Sequence, residues 1–139
     1  MKLKRSTFKY IEGELYDFKN TLKEMDQLRD AIIHTKSNTD ENTGAGRNSV
    51  RVNISPTEQT VTRLATDKRL NNLEEVAIAI SETYENMPNE HKKVIKLKYW
   101  SHNKFTWDRL ADECKMHKNT AYKIRREFIN VIAIKLGLR

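Results

Sequence analysis

From Phe8 the apolar residues recur at Ile11, Leu15, Phe18, Leu22 and Met25, a 3-4-3-4-3 spacing that resumes at Ile32 after Arg29 interrupts it. This period keeps one face of an α-helix apolar and predicts a long amphipathic helix from Ser6 to Thr35. Ser6 or Thr7 is placed to cap its start, and Glu12 and Glu14 lie near its positive end. Gly13 costs about 1 kcal/mol relative to Ala without erasing the pattern. The seam falls short of four unbroken heptads, so it serves either as a face packed on its own chain or as a homodimer seam.

Residues 36–54 are dense in Asn, Ser, Thr and Gly and lack a period, which predicts a flexible linker. Gly44-Ala45-Gly46 follows no strand, so a phosphate-cradling loop is not expected there. Val50 to Ile54 is the one stretch with strand-like alternation. Ser55-Pro56-Thr57-Glu58 then forms a capping box: Ser55 accepts from the N3 amide, Glu58 reaches back, and Pro56 sits where its missing N–H is harmless. Val61, Leu64 and Ala65 start the stripe of this next helix. Leu70, Leu73, Ala77, Ile80, Tyr84 and Met87 form a second stripe in a shifted phase, which predicts a bend or break between Thr66 and Arg69. Pro88 closes the element, and Pro88-Asn89-Glu90 opens another whose apolar positions are Val94, Ile95, Leu97 or Tyr99, and Trp100. The polar Ser101-His102-Asn103-Lys104 reads as a turn. The class is all-α.

Charge divides the chain. Of 26 Lys+Arg and 19 Asp+Glu, residues 1–88 hold 13 and 14, a net −1, and residues 89–139 hold 13 and 5, a net +8. The densest part, Lys115 to Arg126, carries Lys115, Lys118, Lys123, Arg125 and Arg126 with no acid. Such asymmetry suits a polyanion, most often nucleic acid, or else a solvated helix face. No apolar run exceeds a few residues, as at Val76 to Ile80 or Val131 to Ile134, so no transmembrane helix is expected. Basic Met1 to Arg5 is followed by Ser6, Thr7, Lys9, Glu12 and Glu14 where a signal peptide needs an apolar stretch. A cytoplasmic protein is expected, and with Cys114 as its single cysteine its stability must come from packing rather than disulfides.

The segment Trp107 to Arg126 carries the chemistry. A helix-turn-helix needs a small residue where its helices cross and apolar residues in the wedge between them. Counting Trp107 as the first position, Ala111 falls at the crossing, and Leu110, Cys114, Met116, Ala121 and Ile124 fill the apolar slots. Thr106 or Trp107 opens the first helix, with Asp108 and Asp112 in its early turns, and His117 or Lys118 begins the second. The motif spans 106–128. Lys115 occupies the turn position where the backbone tends to positive φ and glycine is commonest, at a cost on the order of 1 kcal/mol. Turning Ala121, Ile124 and Phe128 inward places Asn119, Tyr122, Lys123 and Arg126 on the opposite face, with Lys118 and Arg125 on its flank. Asn reads adenine, Arg and Lys read guanine, and flanking cations neutralise phosphates. These six are the expected DNA-binding residues; an ordinary amphipathic helix with a basic exterior is the bland reading.

From Met87-Pro88 through Leu97-Lys98-Tyr99-Trp100 to Thr106-Trp107-Asp108-Arg109-Leu110-Ala111 and the helix beyond, the chain resembles the fourth region of bacterial sigma factors. With Tyr10-Ile11-Glu12-Gly13-Glu14-Leu15 and Leu28-Arg29 in front, and Pro56-Thr57-Glu58 and Lys68-Arg69-Leu70 between, it is similar as a whole to RinA-type transcriptional activators. The resemblance implies a phage or prophage activator of late or packaging genes, with double-stranded promoter DNA and host RNA polymerase as partners. A small terminase-like packaging subunit, which also joins a helix-turn-helix to oligomerising helices, is the alternative. A protein-interaction module whose basic face binds an acidic partner is a third reading.

Other chemistry is not expected. Cys114 and His117 straddle a turn and have no companion ligands, so neither a metal site nor a cofactor is read from them, and Cys114 fits as a small core residue. Glu74-Glu75 and Asp112-Glu113 diverge on their helices, and no nucleophile is paired with a His, so no enzyme or small-molecule substrate is expected. Tyr99, Trp100, Phe105 and Trp107 suit core packing, with base stacking as the other use. The expected organisation is a helix over 1–35, a linker over 36–54, and a helical DNA-binding domain over 55–139.

Overall fold

The computed structural model describes residues 2–41 and 56–139. Their regular structure is helical throughout: α1 (Arg5–Tyr16), α2 (Phe18–Glu41), α3 (Pro56–Glu85), α4 (Asn89–Tyr99), α5 (Trp107–Glu113) and α6 (Lys118–Leu136). The all-α class is therefore observed. Most of the expected linker, the glycine pair, the strand-like Val50 to Ile54 and Ser55 of the capping box lie outside the described residues.

Three boundaries differ from the periodicity reading. The expected helix over 6–35 is divided at Asp17, and α2 continues to Glu41, into residues assigned to the linker. A tertiary contact falls at the division. The Trp100 indole N–H donates to the Leu15 carbonyl at 2.9 Å, and its ring packs at 5.4 Å on Phe18 and at 4.9 Å, edge-on, against Tyr84. A donor from the residue that follows α4 thus satisfies a carbonyl near the end of α1. The third difference is in α3, which runs unbroken through Thr66 to Arg69. Its two stripes need not share a surface, because Val61 and Leu64 are exposed while Leu70, Ala77 and Ile80 are buried.

The chain forms two compact units, Met1–Lys19 with Glu75–Arg139, and Asn20–Glu74. In the first, α1, α4 and α5 all pack on α6. Ile11 and Leu15 of α1 join Ile80, Val94, Ile95, Leu110, Phe128, Ile129 and Ile132 in one core. Burial of each such side chain contributes about 1.5–3 kcal/mol. The front of the heptad-like seam is therefore packed within its own chain. In the second unit, Met25 and Leu70 are buried. Arg29, which interrupts the seam, pairs with Glu74 at 3.0 Å and Asp26 at 3.4 Å, and Arg69 pairs with Glu24. Exposed pairs of this kind contribute under about 1 kcal/mol each.

Both helices of the C-terminal hairpin end in the same way. After α5, Met116 N–H donates to Ala111 at 3.0 Å and Lys115 N–H to Asp112 at 3.2 Å; after α6, Leu138 donates to Ala133 at 2.9 Å and Gly137 to Ile134 at 3.1 Å. These are Schellman closures, which need a left-handed residue just past the helix. Gly137 supplies it at φ 71 without strain, whereas Lys115 supplies it at φ 54. The positive φ expected at Lys115 is present. Opposite substitutions should have opposite effects on unfolding: Gly137→Ala should lower stability by about 1 kcal/mol, and Lys115→Gly should raise it by about as much. Urea denaturation of the two variants measures both signs.

Candidate nucleic-acid interface

Side-chain caps fix the ends of the hairpin. Thr106 Oγ1 accepts from the Arg109 amide at 3.3 Å, opening α5, and His117 Nδ1 accepts from the Asn119 amide at 3.1 Å, opening α6. Between them the chain turns through Lys115. Leu110, Ala111, Ala121, Ile124 and Phe128 are buried, and Cys114 and Met116 pack against the same core. The wedge read from the sequence is thus filled as expected. Partial burial raises the Cys114 thiol pKa above its ordinary value.

The six residues expected to contact DNA divide into two sets. Asn119, Lys123 and Arg126 are exposed on one face of α6, and no ion pair engages these two cations among the described residues. The others are engaged within the protein. Lys118 lies in the first turn of α6, where a cation opposes the helix dipole; Asp108 compensates at 3.1 Å, and this hydrogen-bonded contact raises the lysine pKa. Tyr122, expected to face outward, is half-buried against Trp107, with ring centroids 5.0 Å apart.

Arg125 is the most enclosed of the set. Its guanidinium lies 4.8 Å from the Trp107 ring centroid, 5.2 Å from that of Phe8 and 5.4 Å from that of Tyr122, and it pairs with Glu12 Oε2 at 3.4 Å. The same carboxylate oxygen accepts from Tyr99 Oη at 2.7 Å. Burial first, and this hydrogen bond second, raise the Tyr99 phenol pKa far above its ordinary range. Beside them, Lys98 Nζ donates to the Phe105 carbonyl at 3.3 Å and lies 4.8 Å from the Trp107 centroid. Burial lowers its pKa. Tyr99, Trp100, Phe105 and Trp107 are therefore used in packing the hairpin.

Glu12 was read from the sequence only as an acid near a helix start. Its partner Arg125 is 113 residues away, and neither composition nor period signals such a pairing. The same holds for Asp108 with Lys118. No helix among the described residues is long and apolar enough to cross a membrane, and no group of three or more metal-ligating side chains occurs among them.

A family model described as "Protein of unknown function (DUF722)" matches residues 9–134. The curated "Transcriptional activator rinA" of Staphylococcus phage phi11 is 30% identical over 135 residues, covering 97% of this chain and 94% of that protein. No solved structure matches the chain significantly.

If Glu12 holds α6 in place, Glu12→Ala should destabilise the protein by about 2 kcal/mol, since it strands a half-buried guanidinium and a buried phenol. Glu12→Ala combined with Arg125→Met should recover part of the loss, because the stranded charge is gone. Chemical denaturation of the single and double variants tests both. A loss below about 0.5 kcal/mol would reduce the pair to an ordinary surface contact.

Proposed function

The chain belongs to the RinA-type family, the one matched by the DUF722 model, and on that premise we propose that it is a phage or prophage transcriptional activator that reads double-stranded promoter DNA through α6. The observation that carries this reading is the face of α6 bearing Asn119, Lys123 and Arg126, exposed and without an acidic partner, on a helix that directly follows a tight, left-handed turn. In a helix-turn-helix the second helix enters the major groove and its early residues meet the base edges. Asn119 suits adenine N6 and N7, and Arg126 suits guanine O6 and N7. Lys123 and Lys118 supply phosphate neutralisation, Lys118 exchanging its contact with Asp108 for the DNA backbone. Tyr122 and Arg125 act one step back, by fixing how α6 stands on Trp107 and α1.

In this reading the sigma-region-4-like hairpin binds a promoter of late or packaging genes and recruits or repositions host RNA polymerase in the bacterial cytoplasm. Two protomers pair through α2 rather than α1, because Leu22 and Ile33 are exposed while Ile11 and Leu15 are spent on the core. Half-sites would then lie about one helical turn, or a multiple of it, apart.

Two measurements test this. In anisotropy titrations against a randomised duplex pool, Asn119→Ala or Arg126→Ala should relax preference at one base position by about 1–3 kcal/mol, whereas Lys118→Ala should weaken all duplexes alike. Binding without salt dependence or base preference would overturn the groove assignment. In sedimentation equilibrium, Leu22→Glu with Ile33→Glu should lower the mass of the full chain, and an unchanged mass would remove α2 as the pairing element.

A further inference from the structure

A cleft of about 590 Å³ lies between the start of the chain and the middle of α6, lined by Lys2, Leu3, Phe8, Arg125, Arg126 and Asn130. Leu3 and Phe8 pack against the core and hold this leading segment in place. Lys2, Lys4 and Arg5 are exposed, and no ion pair engages them among the described residues. No acid lines the cleft. Arg125 is already matched by Glu12, so Lys2 and Arg126 are its free cations.

The register of α6 gives this cleft a direction. Asn119, Lys123, Arg126 and Asn130 follow one another at 4-3-4 spacing, so they form a single stripe along one face. At 1.5 Å per residue, Asn119 to Arg126 spans about 10 Å of helix axis. Asn130 lies about 16 Å along the same stripe, at the end that lines the cleft. The basic leading segment sits beside that end of the stripe.

We propose that Lys2 to Arg5 is a second DNA-contacting element, which holds the phosphate backbone flanking the bases read by α6. This rests on the reading of α6 as the groove-entering helix. Like-charged Lys2 and Arg126 line one cleft without an acid and repel one another, Lys4 and Arg5 follow on the same exposed segment, and a polyanion relieves that repulsion. Backbone contacts carry no sequence information, so the segment adds affinity and register rather than specificity.

The test uses the full chain, wild type and a Lys2→Gln, Lys4→Gln, Arg5→Gln variant, titrated with preferred and scrambled duplexes across a salt series. Each lost phosphate contact should reduce the slope of log K against log salt by about 0.9, and weaken binding about fivefold near 0.15 M salt. The ratio between preferred and scrambled duplexes should stay unchanged, as should the melting temperature. An unchanged slope in the variant, with wild type still selective, would overturn this proposal and leave the α6 reading standing. A wild type that shows no duplex selectivity would overturn both. A variant whose selectivity or melting temperature falls with its affinity would assign the segment a structural role and also overturn the proposal.

Discussion

The carboxylate of Glu12 is the constraint on which the arrangement of α6 depends. One oxygen meets the Arg125 guanidinium and the Tyr99 hydroxyl, so α1, α4 and α6 are tied at one point in a setting walled by Phe8, Trp107 and Tyr122. Paired charges in such a setting contribute little over a well-packed apolar substitute, yet removal of either partner is costly because the other is stranded. The pair therefore acts more to specify position than to add stability. It makes one placement of α6 better than a slightly rotated one, in which Arg125 would leave its acid and rings.

That placement sorts the charge of the C-terminal third. The net +8 is a property of composition, but its cations differ in availability. Arg125 is neutralised from within, Lys118 is held by Asp108, and Lys98 is drawn onto Trp107. Within the dense stretch from Lys115 to Arg126, Lys115, Lys123 and Arg126 remain exposed, as do Lys96, Lys104 and Arg109 before it. The exposed basic surface of α6 is thus set by which acids the fold brings close. Each internal contact orients its side chain on α6, which for the proposed DNA contact would lower the entropy lost on binding.

Local chemistry was legible where it acts over a few residues. The helix-turn-helix spacing located Leu110, Ala111, Ala121, Ile124 and Phe128 in the core, and the unusual Lys115 marked the left-handed turn that the backbone adopts. Thr106 and His117 cap the helices at positions read from the sequence. Where neighbours distant in the chain intervene, the reading failed. A continuous apolar period from Phe8 to Met25 predicts one helix, but period alone could not show the division at Asp17 or the Trp100 indole on the Leu15 carbonyl beside it. A phase shift in α3 predicts a bend or break between Thr66 and Arg69, but the helix runs unbroken there, with Val61 and Leu64 of the first stripe exposed.

The helical class, the filled wedge of the hairpin, the left-handed turn and the concentration of basic residues after Pro88 follow from the order of residues alone, because each rests on periodicity, steric preference or composition within a short window. Tertiary structure decided which basic side chains face outward, where the first helix ends, and that Ile11 and Leu15 are buried in their own chain. Those outcomes depend on pairings such as Glu12 with Arg125 and Trp100 with Leu15, whose members meet only after the chain has closed loops of many residues. Charge and polarity are local properties of a residue, but a partner for them is a property of the fold.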